Sequence, residues 1–336
     1  MKTIRTEDAV GMPLAHDLTQ IIPGKYKGSR FKKGHIVQQE DIPVMLSMGK
    51  KHVFVLEISD DDVHEDAAGM RIAASAAGNH IALRPKGEGK VELVANCRGI
   101  LRVNQDKLLH LIDDDEIMFA SIQGNQLVER GQLLAGTRVI PLYVKEQTVC
   151  CAEQVQDVLW IDPLMPAQVG IVTTGSEIYH GIIKDQFGDV LRNKFGKLGC
   201  SVIDQLFADD DEHMIADQIL ALKRRGAQLI AVTGGMSVDP DDRTPAGIRA
   251  AGTDIVTYGA PVLPGAMFLL GYLDDVPVVG LPGCVMYHGA SVFDLIVPRL
   301  LAGEKIQRRD IKLLGHGGLC RGCSVCTYPN CGFGKG

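Results

Sequence analysis

Residues 228–245 read QLIAVTGGMSVDPDDRTP. Leu229-Ile230-Ala231-Val232 is a short, continuous apolar run, as expected of a strand buried on both faces. It breaks into Thr233-Gly234-Gly235, and Asp239, Asp241 and Asp242 follow closely. Arg243-Thr244-Pro245 then lead into PAGIRAAG, which predicts a helix with Pro245 at its first position, where no N–H is needed. A strand that ends in a glycine pair lets the backbone approach a ligand closely. Carboxylates just beyond can hold a divalent cation or the polar edge of that ligand. The stretch predicts a site for an anionic, phosphate-bearing small molecule.

The same grammar extends to both sides. QVGIVTTGSEI predicts a strand and a glycine loop, and DQFGDVLRNKFGKLG a helix ended by Gly199. CSVIDQLFA predicts a second strand, with Asp209 at its C-terminal end, and DDEHMIADQILALKRRG a helix ended by Gly226. Asp209 or Asp210 is expected to cap that helix. VPVVGLPG predicts a further buried strand, and HGASVFDLIVPRLLAG a closing helix. Strands alternating with helices predict a three-layer α/β/α domain with a mostly parallel sheet, over residues 166–305. Three of its strands end in comparable loops: Thr173-Thr174-Gly175-Ser176-Glu177, Thr233-Gly234-Gly235 and Leu281-Pro282-Gly283. In a parallel sheet these ends share one edge, where open α/β folds bind ligands. Neither a G-x-G-x-x-G nor a Walker pattern is present, which sets aside ordinary Rossmann and P-loop readings.

Residues 1–165 read differently. Short β-prone runs (HVFVLEI, VELVANC, EIMFASI, TRVIPLYV) are joined by glycine turns, with a helix expected in DIPVMLSMGK and an alanine-rich one in HEDAAGMRIAASAAG. This predicts a β-rich α+β domain. His16-Asp17, the acidic run from Ser59 to Asp62 and the basic loop from Lys25 to Lys33 are its polar landmarks. Solvated surface explains such features in most proteins. The loop could instead offer cations to an anionic ligand held by a neighbouring domain or subunit.

Apolar residues make up 46% of the 336-residue chain and charged residues 23%, enough for two or three globular domains. The net charge of −6 argues against general nucleic-acid or membrane binding. No signal-peptide pattern opens the chain, and no apolar run approaches the ~20 residues of a spanning helix. A soluble, cytoplasmic protein is expected. Four of the nine cysteines, Cys320, Cys323, Cys326 and Cys331, crowd the last stretch, 306–336, which is expected to leave the fold as a short tail. In a reducing compartment, four close thiolates point to a metal site rather than disulfides. An iron–sulfur cluster and Zn2+ are both compatible with the spacing, and a disordered tail is the bland alternative.

IVTTGSEI, the acid Asp209, TGGMSVDPDDRTP and PVVGLPG, in this order, resemble the molybdopterin-binding domain of molybdenum-cofactor biosynthesis proteins, over residues 168 to about 302. GGMSV with PVLPGAMFLLG and GLPG looks like the molybdotransferase branch, which inserts molybdate or tungstate into adenylylated molybdopterin. RTEDAVGMPLAHDLTQIIPGKYKGSRFKKGHIVQQEDI is similar to the start of such a protein. Asp242-Arg243-Thr244-Pro245 looks more like the adenylyltransferase branch, which activates molybdopterin with Mg-ATP. A carrier or sensor that binds molybdopterin without converting it is also compatible. The resemblance implies that the backbone at Gly175, Gly234, Gly235 and Gly283, beside Pro282, meets pterin and phosphate. It further implies hydroxyl donors at Thr174, Ser176 and Ser237, an acceptor for pterin N–H at Glu177, and Mg2+ held by Asp209 and Asp242. A homodimer is expected, with the basic loop completing a neighbour's site.

Overall fold

Alternation along each buried strand decides the layers. A computed structural model of the chain describes residues 2–22, 26–56, 59, 61–237 and 239–335. In the second half, six strands form one sheet: β1 (Gln168–Thr174), β2 (Ser201–Ala208), β3 (Leu229–Thr233), β4 (Asp254–Tyr258), β5 (Leu269–Leu273) and β6 (Val276–Leu281). Their order is β2-β1-β3-β6-β5-β4. The pairs β1·β2, β1·β3 and β3·β6 are parallel, and β5 pairs antiparallel with both β6 and β4. Val169, Ile171, Leu229, Ala231, Val279 and Leu281 enter one core, while Val172, Ile230, Val232 and Val278 enter another on the opposite face.

Helices α1 (Ser176–Tyr179), α2 (Phe187–Lys197), α3 (Glu212–Arg224), α4 (Thr244–Ala250), α5 (Cys284–Tyr287), α6 (Val292–Leu301) and α7 (Arg308–Leu313) complete the domain. The first core takes Leu191 and Phe195 of α2 and Phe293, Ile296 and Val297 of α6. Phe195 and Phe293 meet edge to face, with ring centres 5.0 Å apart. The second takes Ile215, Ile219 and Leu222 of α3 and Ile248 of α4. Helix on sheet on helix is the three-layer α/β arrangement expected from the sequence. Gly199 and Gly226 follow α2 and α3 at φ +81° and +90°, as expected of residues that end helices. The cap of α3 differs from expectation: Asp211 accepts from the Met214 N–H at 2.8 Å, which leaves Asp209 and Asp210 free for other partners. Helix α4 starts one residue early, at Thr244, so Pro245 is its second residue.

The stretch expected to leave the fold does not. Ile306, Ile311 and Phe333 are buried in the first core, at 1%, 0% and 4% exposure. Apolar side chains at these positions can be withdrawn from water only by folding the stretch back.

Two compact units emerge: one of residues up to Val94 with 104–122 and 133–159, the other of 95–103, 123–132 and 160–336. The first is β-rich, with a four-stranded sheet in the order Ile81–Gly87, Lys90–Ala95, Leu133–Val139, Ile117–Ser121. Helix Glu65–Ala76 is pinned there by Arg71, whose guanidinium forks to Glu146 and Glu153 at 2.8–2.9 Å. His16 packs edge-on against Phe54, and Asp17 accepts from the Lys33 N–H at 2.7 Å. In the basic loop, Lys33 pairs with Glu65 at 3.4 Å and Lys32 with Glu88 at 3.8 Å; Lys25, like Asp60 of the acidic run, lies outside the described residues. In the second unit, strand Gly99–Val103 sits between Leu127–Val128 and Leu159–Pro163. Arg102 binds Asn125 at 2.6 Å, Asp162 at 2.7 Å and Glu304 at 2.6 Å. Among the described residues no helix is long and apolar enough to cross a membrane.

Candidate functional site

Because β1 lies between β2 and β3, the chain crosses first to one side of β1 and then to the other. The sheet therefore has a switch point between β1 and β3, beyond whose C-terminal ends α/β folds place their ligands. The two loops that leave those ends touch. Gly234, at φ +92°, lies so close to the first loop that a Cβ there would fall 2.2 Å from the Thr174 carbonyl oxygen and 2.7 Å from its Oγ1. Only glycine permits both the backbone angle and the approach.

Thr174 is 1% exposed, and its hydroxyl is used internally. It donates to the Thr233 carbonyl at 3.3 Å and shares a 2.8 Å hydrogen bond with Thr244 Oγ1. Thr244, fully buried at the start of α4, thus joins the first loop, the loop after β3 that carries Gly234 and Gly235 (the third loop below) and the next helix.

The acids after β2 serve the first loop as well. Gly175 turns it at φ +128°, Asp210 accepts from the Ser176 N–H at 2.9 Å, and Asp209 accepts from Ser176 Oγ and lies 3.2 Å from His180 Nε2. The Ser176 hydroxyl, then the Asp210 N–H, hold the Asp209 carboxyl below the usual carboxylate range. Glu177 is exposed, and its carbonyl accepts from the Ile182 and Ile183 N–H groups.

A cavity of about 600 Å3 opens on this edge. Gly234, Gly235, Ser237, Asp242, Pro282 and Gly283 all line it. Thr174, Gly175, Ser176, Glu177 and Asp209 do not: they form or brace the first loop behind it. The remaining wall is apolar, from Met236, Leu263, Ala266 and Met267, with Phe187 and Cys284 at the helix starts. Asp185 accepts from the Phe187 N–H at 2.8 Å and so fixes the start of α2. Flat apolar and thioether walls facing a strip of glycine backbone, a hydroxyl and one carboxylate suit a planar heteroaromatic ligand with a polar edge.

Tyr258, on the edge strand β4, was not foreseen. Its hydroxyl donates to the carbonyls of Met236 and Ser237, each at 3.1 Å, and so braces the third loop. Burial, then the Asp242 carboxylate, push its phenol above the usual range. Burial likewise pushes up the Cys284 thiol, which stays protonated at neutral pH. The PVLPGAM segment between β4 and β5 also supplies wall residues, and only its resemblance marked it.

The donor set does not fit an Mg2+ shared by Asp209 and Asp242: the first is engaged by Ser176 and His180, and the second alone lines the cavity. Among the described residues, no three His, Cys, Asp or Glu side chains are placed to hold a metal ion. The four C-terminal cysteines are brought to one place, the wall of a separate cavity, without converging on a point.

Comparison with known proteins assigns the segment. Residues 170–302 match the family model described as "Probable molybdopterin binding domain", and residues 3–57 match a domain of unknown function. A CinA-like protein of Mycobacterium avium is 32% identical over 78 residues, 23% of this chain and 18% of that protein. A CinA-like protein of Mycolicibacterium vanbaalenii is 34% identical over 80 residues, 24% and 19% respectively. The matched region thus spans about a fifth of the length of these curated relatives. Among solved structures, the molybdopterin biosynthesis enzyme MoaB of Thermus thermophilus aligns with 41% of this chain and 98% of its own, at 20% identity and a TM-score of 0.34. The tungsten cofactor synthesizing protein MoaB of Pyrococcus furiosus aligns with 42% and 98%, at 15% identity and a TM-score of 0.35. Residues 170–302, whose strand ends build the cavity, belong to the molybdopterin-binding domain family of molybdenum-cofactor biosynthesis.

Proposed function

We propose that the chain handles molybdopterin in molybdenum-cofactor biosynthesis, taking the adenylylated pterin in the 600 Å3 cavity and exchanging its AMP for molybdate or tungstate. The observation that carries this reading is the cavity itself, which gathers Gly234, Gly235, Ser237, Asp242, Pro282 and Gly283 on the ligand edge of a molybdopterin-binding domain. In this reading Met236, Met267 and Phe187 sandwich the pterin, and the glycine backbone and Ser237 hold its polar edge and phosphate. Asp242 faces the reacting phosphoryl group. We infer no step through Mg2+, because Asp209 is committed to Ser176.

That same commitment favours a second reading, in which the domain binds molybdopterin without converting it and serves as a carrier or sensor. One experiment separates them. Purified protein receives molybdopterin with Mg-ATP in one tube and adenylylated molybdopterin with molybdate in another. AMP release in the second tube, abolished by Asp242→Ala, is the expected result for the first reading. Adenylylated pterin formed in the first tube would move the assignment to adenylyl transfer. Pterin retained on the protein with neither product would establish the carrier, and no retention would overturn all three. Homodimerisation, which we also propose, is checked by light scattering at micromolar concentration; a monomer mass refutes it.

A further inference from the structure

The C-terminal stretch is fastened to the wall of the first cavity. Leu263, in the PVLPGAM segment, lines that cavity and is 56% exposed, so packing alone does not fix it. Its backbone is held instead. The Leu263 N–H donates to the Gly318 carbonyl at 2.8 Å, and the Leu263 carbonyl accepts from the Cys320 N–H at 2.8 Å. Leu263 and Leu319 therefore pair as a parallel bridge. On the other flank of the segment, the Val292 N–H of α6 donates to the Pro264 carbonyl at 3.1 Å. Gly318 lets the chain come this close: a Cβ there would fall 2.3 Å from the Leu314 carbonyl oxygen and 2.6 Å from that of Pro261. Further along, the stretch is anchored by Phe333 in the core, by the Tyr328 hydroxyl on the Asp294 carbonyl at 3.0 Å, and by the Gly334 N–H on that of Gly317 at 2.9 Å.

We propose that residues 318–320 are a positioning segment of the pterin site, which hold Leu263 in the cavity wall so that pterin binding and closure of this segment favour one another. The inference rests on the pterin reading of the first cavity and adds to it a part of the chain outside residues 170–302. An exposed segment held by a few backbone hydrogen bonds opens locally far more often than the core unfolds. When 318–320 open, Leu263 loses both of its backbone partners and the pterin loses a fixed wall. Linkage then requires bound pterin to suppress the opening by the same factor by which opening weakens pterin. Cys320 reports on this directly, because its own N–H makes one of the two bonds. It is half-buried and lines a second cavity, of about 580 Å3, rather than the first, so a pterin in the first cavity does not shield it by contact. Cys323, exposed in the wall of the same second cavity, lies beyond the segment and serves as the internal reference.

The test uses the full chain and molybdopterin under anaerobic conditions. On the wild-type protein, iodoacetamide forms an S–C bond at each accessible cysteine and releases iodide and the thiol proton, and peptide mapping reads the rate at each position. Saturating pterin should slow alkylation of Cys320 by about tenfold and leave Cys323 unchanged. In a titration below the unfolding transitions, Gly318→Ala should weaken pterin binding by about tenfold. Gly322→Ala, with a left-handed backbone at φ +66° but nothing within 4 Å, should bind as the wild type does. If Gly318→Ala fails to fold, the wild-type alkylation rates decide. Cys320 alkylation indifferent to pterin, or a folded Gly318→Ala that binds pterin as the wild type does, overturns the inference and leaves the pterin reading standing. A wild-type protein that binds no pterin overturns both.

Discussion

Replacing Gly234 by alanine tests whether the two glycine loops are locked together as closely as described. The substitution meets two penalties. The first is the left-handed backbone at φ +92°, which costs a side chain about 1–2 kcal/mol. The second is contact: a Cβ 2.2 Å from the Thr174 carbonyl oxygen must move by roughly 1.2 Å to reach ordinary contact at 3.4 Å. That shift pulls on the Thr174 hydroxyl, with its bonds to Thr233 and Thr244, each worth about 1 kcal/mol. The sum is about 3–4 kcal/mol. Gly181→Ala isolates the first penalty, since Gly181 sits at φ +72° with nothing within 4 Å. The difference of about 2 kcal/mol corresponds to ~4–8 °C in Tm. Thermal unfolding by circular dichroism measures it, and pterin retention is read below both transitions. Equal shifts for the two variants, or undiminished pterin retention by Gly234→Ala, would refute the reasoning.

Four further outcomes are expected. Thr244→Val removes the closer partner of the buried Thr174 hydroxyl and should lower stability by about 1–3 kcal/mol in urea unfolding. Tyr258→Phe releases two carbonyls of the third loop at a partly exposed edge, and should weaken pterin binding by up to about tenfold in a titration while barely moving Tm. Asp209→Asn should remove a pH dependence. Because the folded carboxyl titrates below its ordinary value, its stabilisation is fully present well above 3.8 and is lost as pH falls through the folded value. Wild-type and variant Tm should therefore converge in acid and separate towards neutrality. Glu304→Gln leaves Arg102 and Arg299 without their shared carboxylate and should lower Tm by several degrees more than Glu212→Gln, whose side chain is 45% exposed.

The parallel part of the fold was legible because its strands are continuous apolar runs and its helices close on glycine. The antiparallel pair β4 and β5 was not. DIVTY and LLGYL are short, and a five-residue apolar run carries no sign of the direction in which it will pair. Helices α1 and α5, four residues each, are shorter than any period that could announce them. At the site, glycine pairs declared themselves through chemistry that only glycine performs, and Asp242 through its position after them. Asp209 was noticed, but which acid would cap α3 depends on one residue of register, and Asp211 takes that place. Thr244 and Tyr258 act across 70 and 22 residues of sequence, on Thr174 and Met236, so no local pattern contains them. The tail looked detachable because glycine and cysteine dominate it. Its anchors, Ile306, Ile311 and Phe333, are single apolar residues without a period.

Strand Gly99–Val103 lies early in the chain yet belongs with the unit that carries both cavities, through Arg102 and its bonds to Asp162 and Glu304. In genetic terms the two units are interleaved. A recombination event that moved residues 166–336 as a cassette would carry the pterin-domain motifs and all four terminal cysteines. It would leave behind Arg102, one of the two arginines paired with Glu304, and the flanking strands with it. A coding segment opening at residue 95 would keep them, at the expense of carrying stretches of the other unit along as passengers.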